Sequence, residues 1–406
     1  IIMQVMKALE RTESLLLRKR FLYIAVIASA GLAGYANSIS VPFLLDDFSS
    51  IANNYAIQDF LNFPALWKFY ANRIVLYFTL SVNWFIHGNA YAGYHIVNIA
   101  IHIINGMLVF NIARYLVAFP CFETNLISRY KNTVSMAIAL VFITHPIQVN
   151  AVTYIIQRTA SLAATFYFLA ILFFIRYRLD DKKRNFVLVL AFTVLAMFTK
   201  ENTITIPFML LFLELMFFAG DGKTSRKKRF LVFFILFLTV PIIPCTNLLL
   251  GGYSQSDPDV TFKASTSMDR MHYFYTQLNV IILYIKLMFI PDNQNFDYSN
   301  DFPVSKTIWE NNSFISFGIL FLIMLFALYT LKRNRLVLLG IIWFFTGLSV
   351  ESSFISIKDV YFEHRLYFSC AGFAIFIIAM VFYRRKEVPV TGKPARDTPA
   401  MDAAVR

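Results

Sequence analysis

The stretch "FLYIAVIASAGLAGYANSISVPFLLDDFSS", residues 21–50, decides the fold. Its apolar run from Phe21 to about Ile39 is long enough to cross a hydrocarbon core, which takes about 20 helical residues. Arg18, Lys19 and Arg20 precede it. The run is too long for a cleaved leader and reads as a retained first span. Two adjacent carboxylates, Asp46 and Asp47, stand where that span has just ended.

The rest of the chain repeats the pattern. Of 406 residues, 58% are hydrophobic, 44 are Phe and only 15% are charged, against about 25% charged in a soluble domain. Mean hydropathy is +0.59. Composition therefore says all-α polytopic membrane protein. The net charge of +13 does not indicate nucleic-acid binding. The basic residues fall in short clusters between apolar segments, not on one face with interleaved aromatics. Cys121, Cys245 and Cys370 show neither metal-ligand spacing nor a disulfide framework.

The candidate spans are roughly 21–41, 93–118, 132–146, 155–177, 186–200, 203–219, 229–250, 311–331, 335–350 and 366–383, and the total could reach twelve. Basic clusters lie before the first, between the second and third, between the fourth and fifth, and after the sixth, eighth and last. Under the positive-inside rule all these loops are cytoplasmic. The other side receives a large first loop, about 42–92, with the stretches around His145, Lys200 and Glu363. Two further apolar stretches, 73–88 and 272–290, would each flip the parity if they spanned. Their Arg, His, Tyr and Trp content places both as interfacial helices. Residues 1–383 make one membrane domain, and 384–406, rich in Pro, Ala, Thr and charge, reads as a disordered tail.

An acid in a loop that caps a span is often merely solvated. Two adjacent acids can also point differently, and one can serve as general base toward an attacking hydroxyl. The same side carries Arg73, His145, Arg158, Lys200, Lys358, His364 and Arg365. A cluster of outward-facing cations suits a lipid phosphate, although any single cation near a helix end also snorkels without chemical purpose. Buried Arg158 or Lys200 would need a partner, such as Glu201 or a bound phosphate. His95, Asn98, His102 and Asn105 share one helical face. They read as interhelical hydrogen-bonding groups ahead of a two-histidine metal site.

The stretches "LLDDFSSIANN", "NRIVLYFTLSVNWFIHGNAYAGYHIVNIAIHIIN", "THPIQVNAVTYIIQRTASLAA", "FTKENTITIPFMLLFLEL", "YIKLMFIPDNQNFDYS" and "KDVYFEHRLYFSCAG" run in this order over about residues 40–380. On these motifs the chain resembles the GT-C superfamily of glycosyltransferases that use polyprenyl-phosphate sugars. It is similar especially to protein O-mannosyltransferases and the membrane part of the tetratricopeptide-linked mannosyltransferases. The resemblance implies a GT-C-like bundle of about 10–12 transmembrane helices and sugar transfer from a polyprenyl-phosphate donor to a hydroxyl of a protein or glycan acceptor. It implies Asp46 or Asp47 as catalytic base, and Arg158, Lys200 and Arg365 as donor-phosphate ligands. Arg73, His145, Glu201, Glu363, His364 and Tyr367 would line or brace the cavity. No metal or other cofactor and no nucleic acid is expected. The site would face the periplasm from a bacterial inner membrane, or the lumen if the membrane is the endoplasmic reticulum. Asn150 and Ile74 depart from the family pattern, and the 406 residues hold no tetratricopeptide array. The alternative reading is a transporter or lipid-linked-sugar flippase, whose charges would gather near the midplane.

Overall fold

The computed structural model describes residues 10–15, 21–122, 126–219, 224–249, 268–295, 302–357 and 360–382. Lys358, the tail 384–406 and the ends of two motif stretches lie outside them. Among the described residues every regular element is helical and there is no strand. The helices are α1 (Leu22–Tyr35), α2 (Phe63–Tyr70), α3 (Ile74–His87), α4 (Tyr91–Val117), α5 (Lys131–Thr144), α6 (Val149–Thr153), α7 (Arg158–Asp180), α8 (Lys183–Met197), α9 (Ile206–Leu213), α10 (Arg226–Phe237), α11 (Ile242–Leu249), α12 (Arg270–Phe289), α13 (Ser313–Thr330), α14 (Arg335–Leu348) and α15 (Leu366–Phe382).

Among the described residues, seven helical segments are long and apolar enough to cross a membrane, and eight if α5 with the short helical pair after it counts as one broken span. The chain is an integral membrane protein. Three of the ten expected spans fall short of a straight crossing. Residues 132–146 end at a 51° bend, where Pro146 has no N–H to continue the ladder. The spans expected at 186–200 and 335–350 form helices α8, of 15 residues, and α14, of 14.

One end of the bundle is basic. There the buried Glu214 carboxylate accepts from Arg178 at 2.6 Å and pairs with Arg229 at 3.0 Å. Lys228 meets Asp181, Arg129 meets Glu10, and Arg335 donates to the Met216 carbonyl. These residues come from the ends of α7, α9, α10, α5 and α14 that the charge count assigned to a single side.

The two ambiguous helices lie across the opposite end. In α12, Tyr273 donates to the Glu351 carbonyl (2.6 Å), Gln277 to Val360 (2.8 Å) and Tyr284 to Phe362 (2.9 Å). The Met288 carbonyl accepts from His145 (2.9 Å). From Tyr273 to Met288 the helix advances about 22 Å, yet every partner sits at the same end of the helix it belongs to, past α14, before α15 or past α5. A spanning helix would reach both ends. Helix α3 behaves alike: Val75 N–H donates to Phe198 at the end of α8, while Asn83, two turns on, meets Arg158 at the start of α7.

The core between the spans is largely aromatic and aliphatic. Helices α14 and α15 approach most closely where Gly340 faces Gly372. A Cβ on Gly340 would lie 2.7 Å from the Gly372 carbonyl oxygen, and one on Gly372 would lie 2.8 Å from that of Gly340. Small residues at such crossings let backbones touch.

Candidate active site

The polar stripe on α4 ties this end together. Asn105 donates to the Tyr367 hydroxyl (2.9 Å) and to the Ser161 carbonyl (2.8 Å). The His102 Nε2–H donates to the Ile143 carbonyl (3.0 Å), so its Nδ1 is the acceptor for the Tyr367 hydroxyl (2.8 Å). His95 donates to the Val41 carbonyl. All four stripe residues are buried and join α4 to its neighbours by hydrogen bonds, as the spacing suggested.

Arg158 is wholly buried. Its Nε donates to Asn98 Oδ1 (2.7 Å), one Nη to the Thr79 carbonyl (3.3 Å), and the other to Asn83 Oδ1 (2.7 Å) and the Tyr94 carbonyl (3.2 Å). Four of its five N–H groups are thus spent on α3 and α4. It is a pillar between helices, and it does not line the hollow described below.

The twin aspartates diverge. Asp47 is buried; its Oδ1 accepts from the Ile156 N–H (2.8 Å) and its Oδ2 from the Leu44 N–H (3.1 Å). Burial pushes its carboxyl up to about 6, against the pull of those two donors. Asp46 is exposed, and its own N–H donates to the Tyr154 hydroxyl (2.9 Å). The preceding Leu45 has φ 37°, a left-handed conformation that is uncommon and strained for leucine. That kink lets two consecutive side chains leave the turn in different directions.

The ion pairs also differ from the sequence expectation. Glu201 does not pair with its neighbour Lys200 but holds Arg73 bidentately, with Nε at 3.1 Å from Oε1 and Nη2 at 3.1 Å from Oε2. Lys200 pairs with Glu351 at 2.8 Å. Among the described residues no other acceptor reaches the Lys200 ammonium, although the residue is only 5% exposed. Glu351 was missed by sequence reasoning. The available signal was its position just after an apolar run, the same signal that marked Asp46. Burial pushes its carboxyl up, but the charges of Lys200, Arg365 and Arg73 outweigh burial and hold it below the usual range. The cluster sets three cations, Arg73, Lys200 and Arg365, beside the carboxylates of Glu201 and Glu351.

Beside it opens a small hollow between α7, α14 and α15. Its floor is small: Ala160, Ala163, Ala164 and Gly347. Its polar wall carries Lys200, Asn202, Thr203, Thr205, His364 and Arg365, with Tyr167 and Tyr367 below. Asn202, Thr203, Thr205 and Tyr167 were not singled out in the sequence. Glu363 turns away, accepting from Gln294 (2.8 Å) and from the Asn295 N–H (3.0 Å). His145 accepts from the Ile147 N–H and donates to Met288, which braces the α5–α6 break against α12. Helix α6, which Tyr154 follows directly, packs on the Glu363–Arg365 turn, and so connects the Asp46 loop with the wall of the hollow.

The chain is 22% identical over 381 residues to the protein O-mannosyl-transferase F38B6.6 of Caenorhabditis elegans, covering 88% of this chain and 51% of that protein. The chain is a distant relative of protein O-mannosyl-transferases. It is also 24% identical over 334 residues to Drosophila melanogaster protein O-mannosyl-transferase Tmtc1 (71% of this chain, 37% of that one). Human protein O-mannosyl-transferase TMTC4 is 25% identical over 205 residues (45% and 27%). The chain thus spans about half or less of the length of these curated relatives. No family model matches it, and no solved structure matches it.

Proposed function

We propose that the protein is a GT-C-like glycosyltransferase that moves a sugar, mannose by analogy with its relatives, from a polyprenyl monophosphate to an acceptor hydroxyl. The carrying observation is the buried Lys200 ammonium: it meets one carboxylate, has N–H groups to spare, and faces a hollow that Arg365 also lines. Such a group, beside a second cation on the same wall, is suited to hold a phosphate. Lys200 and Arg365, backed by Arg73, hold the donor phosphate and stabilise it as it leaves. Asp46 is the base. It takes the acceptor O–H proton as that oxygen bonds to the anomeric carbon, and the bond from that carbon to the phosphate oxygen breaks. One displacement inverts the anomeric configuration. Asp47 shapes the turn, and Arg158 holds the scaffold without touching phosphate. The acceptor is a protein hydroxyl, in keeping with the relatives' names.

Sidedness follows from the basic clusters at the opposite end, which support a site facing away from the cytoplasm. A transporter would place its charges near the midplane, whereas this cluster gathers at one end of the bundle.

The test is transfer of labelled mannose from a polyprenyl-phosphate donor in membranes carrying wild type, Asp46→Asn or Asp47→Asn. Asp46→Asn is expected to lose about a hundredfold or more in rate. Full activity in Asp46→Asn would refute the assignment.

A further inference from the structure

The Lys200–Glu351 pair raises a question that phosphate binding alone does not answer. A pocket meant for an anion already contains one. Glu351 Oε1 lies 2.8 Å from the Lys200 ammonium, where a phosphate oxygen would sit. Its Oε2 is buried and, among the described residues, has no hydrogen-bond partner. The Glu351 main chain is fixed, because its carbonyl accepts from the Tyr273 hydroxyl on α12. The segment that follows, Ser352–Ile357, has no regular structure. The residue is thus pinned at its backbone while half of its carboxylate is unspent.

We infer that Glu351 is a positioning residue that acts through Lys200 as a resident counter-anion: it occupies the phosphate locus between turnovers and competes with the phosphate for Lys200. This rests on the phosphate reading above. Without Glu351, the buried Lys200 and Arg365 side chains would repel one another and drift from the geometry a phosphate needs. Glu201 neutralises Arg73 through a bidentate fork, a pair too well satisfied to yield. The Lys200–Glu351 contact is a single ion pair, so it is the exchangeable one. When the donor arrives, Lys200 changes partner. When the sugar has gone, the returning carboxylate helps displace the polyprenyl phosphate. An ordinary structural salt bridge makes the opposite forecast: its loss would weaken phosphate binding or leave it unchanged.

The test uses the full chain in lipid nanodiscs, with polyprenyl monophosphate as the probe. Glu351→Gln is expected to bind the probe about tenfold more tightly, since one opposing unit charge is removed within a few ångströms of the anion. The kcat and KM for the sugar donor should fall together as release slows. Glu351→Asp should return all three toward wild type. Unchanged or weaker binding in a Glu351→Gln protein that melts like wild type would overturn the inference. Should that variant fail to fold, Lys200→Gln and the double variant Lys200→Gln/Glu351→Gln replace it: the double must bind the probe more tightly than the single, and equal binding overturns the inference. Sugar transfer by wild type with unchanged probe binding in Glu351→Gln sinks this inference alone. Tightened binding with no transfer by any form sinks the transfer reading alone.

Discussion

Replacing Arg158 separates a scaffold role from a phosphate role. In Arg158→Met, two buried amide oxygens, Asn98 Oδ1 and Asn83 Oδ1, lose their donor, and the helical carbonyls of Thr79 and Tyr94 lose a second one. An unmet buried acceptor costs about 1–3 kcal/mol. Two such losses are partly offset because a guanidinium no longer has to be buried, which leaves a net cost of about 1–4 kcal/mol. Arg158→Lys should fare little better, because one ammonium cannot reach acceptors that the planar fork meets on two helices. The assay is thermal melting in detergent by loss of the monodisperse peak, alongside donor KM in whatever folds. Both variants are expected to melt well below wild type, with Arg158→Lys showing no selective rise in donor KM. An Arg158→Lys protein that melts like wild type but needs far more donor would refute the pillar and restore Arg158 to the phosphate.

Other outcomes follow from the same geometry. Asp47→Asn offers one carbonyl oxygen where two backbone N–H groups now find acceptors, so it should melt lower by the equivalent of about 1–3 kcal/mol, while Asp46→Asn melts unchanged. The Asp47 carboxyl is raised to about 6 in the fold against about 3.9 unfolded. Its protonated form therefore favours the fold: the contribution is full below pH about 4 and is lost as pH rises through 6. Melting of wild type should accordingly suffer less than that of Asp47→Asn when pH drops from 7 to 4; identical pH profiles would count against a titrating, buried Asp47. Gly340→Val would drive a branched side chain into the Gly372 carbonyl, and overpacking of this kind costs about 1–3 kcal/mol or more. A melting curve identical to wild type would show that α14 and α15 do not cross there.

Much of the architecture was legible because a bilayer punishes error. The spans announce themselves by length and the basic loops by charge, and the His95–Asn105 stripe by its spacing on α4. The bundle's one-sided division of polar groups followed from the same count. What was not legible was pairing. Arg158 and its acceptor Asn83 are 75 residues apart, and Arg73 and Glu201 are 128 apart, so sequence proximity wrongly favoured Lys200 with Glu201. Glu351 escaped notice because a lone acid after an apolar run looks solvated until α12 is seen to lie over it. Between Asp46 and Asp47 the family resemblance put Asp46 first, with Asp47 a close rival, and the difference in their surroundings was closed to sequence. It turns on the Leu45 backbone and on two N–H donors, at Leu44 and Ile156, that no residue pattern advertises. The placement of α12 was open as well, since its hydropathy suits either a span or a surface helix, and only partners gathered at one end of the bundle decide it.

The most direct measurement is single-turnover transfer from a β-linked mannosyl polyprenyl phosphate, with the anomeric configuration of the product read by NMR. An α-linked product, formed by wild type and lost in Asp46→Asn, is the expected result. A β-linked product, or an undiminished rate in Asp46→Asn, would contradict it.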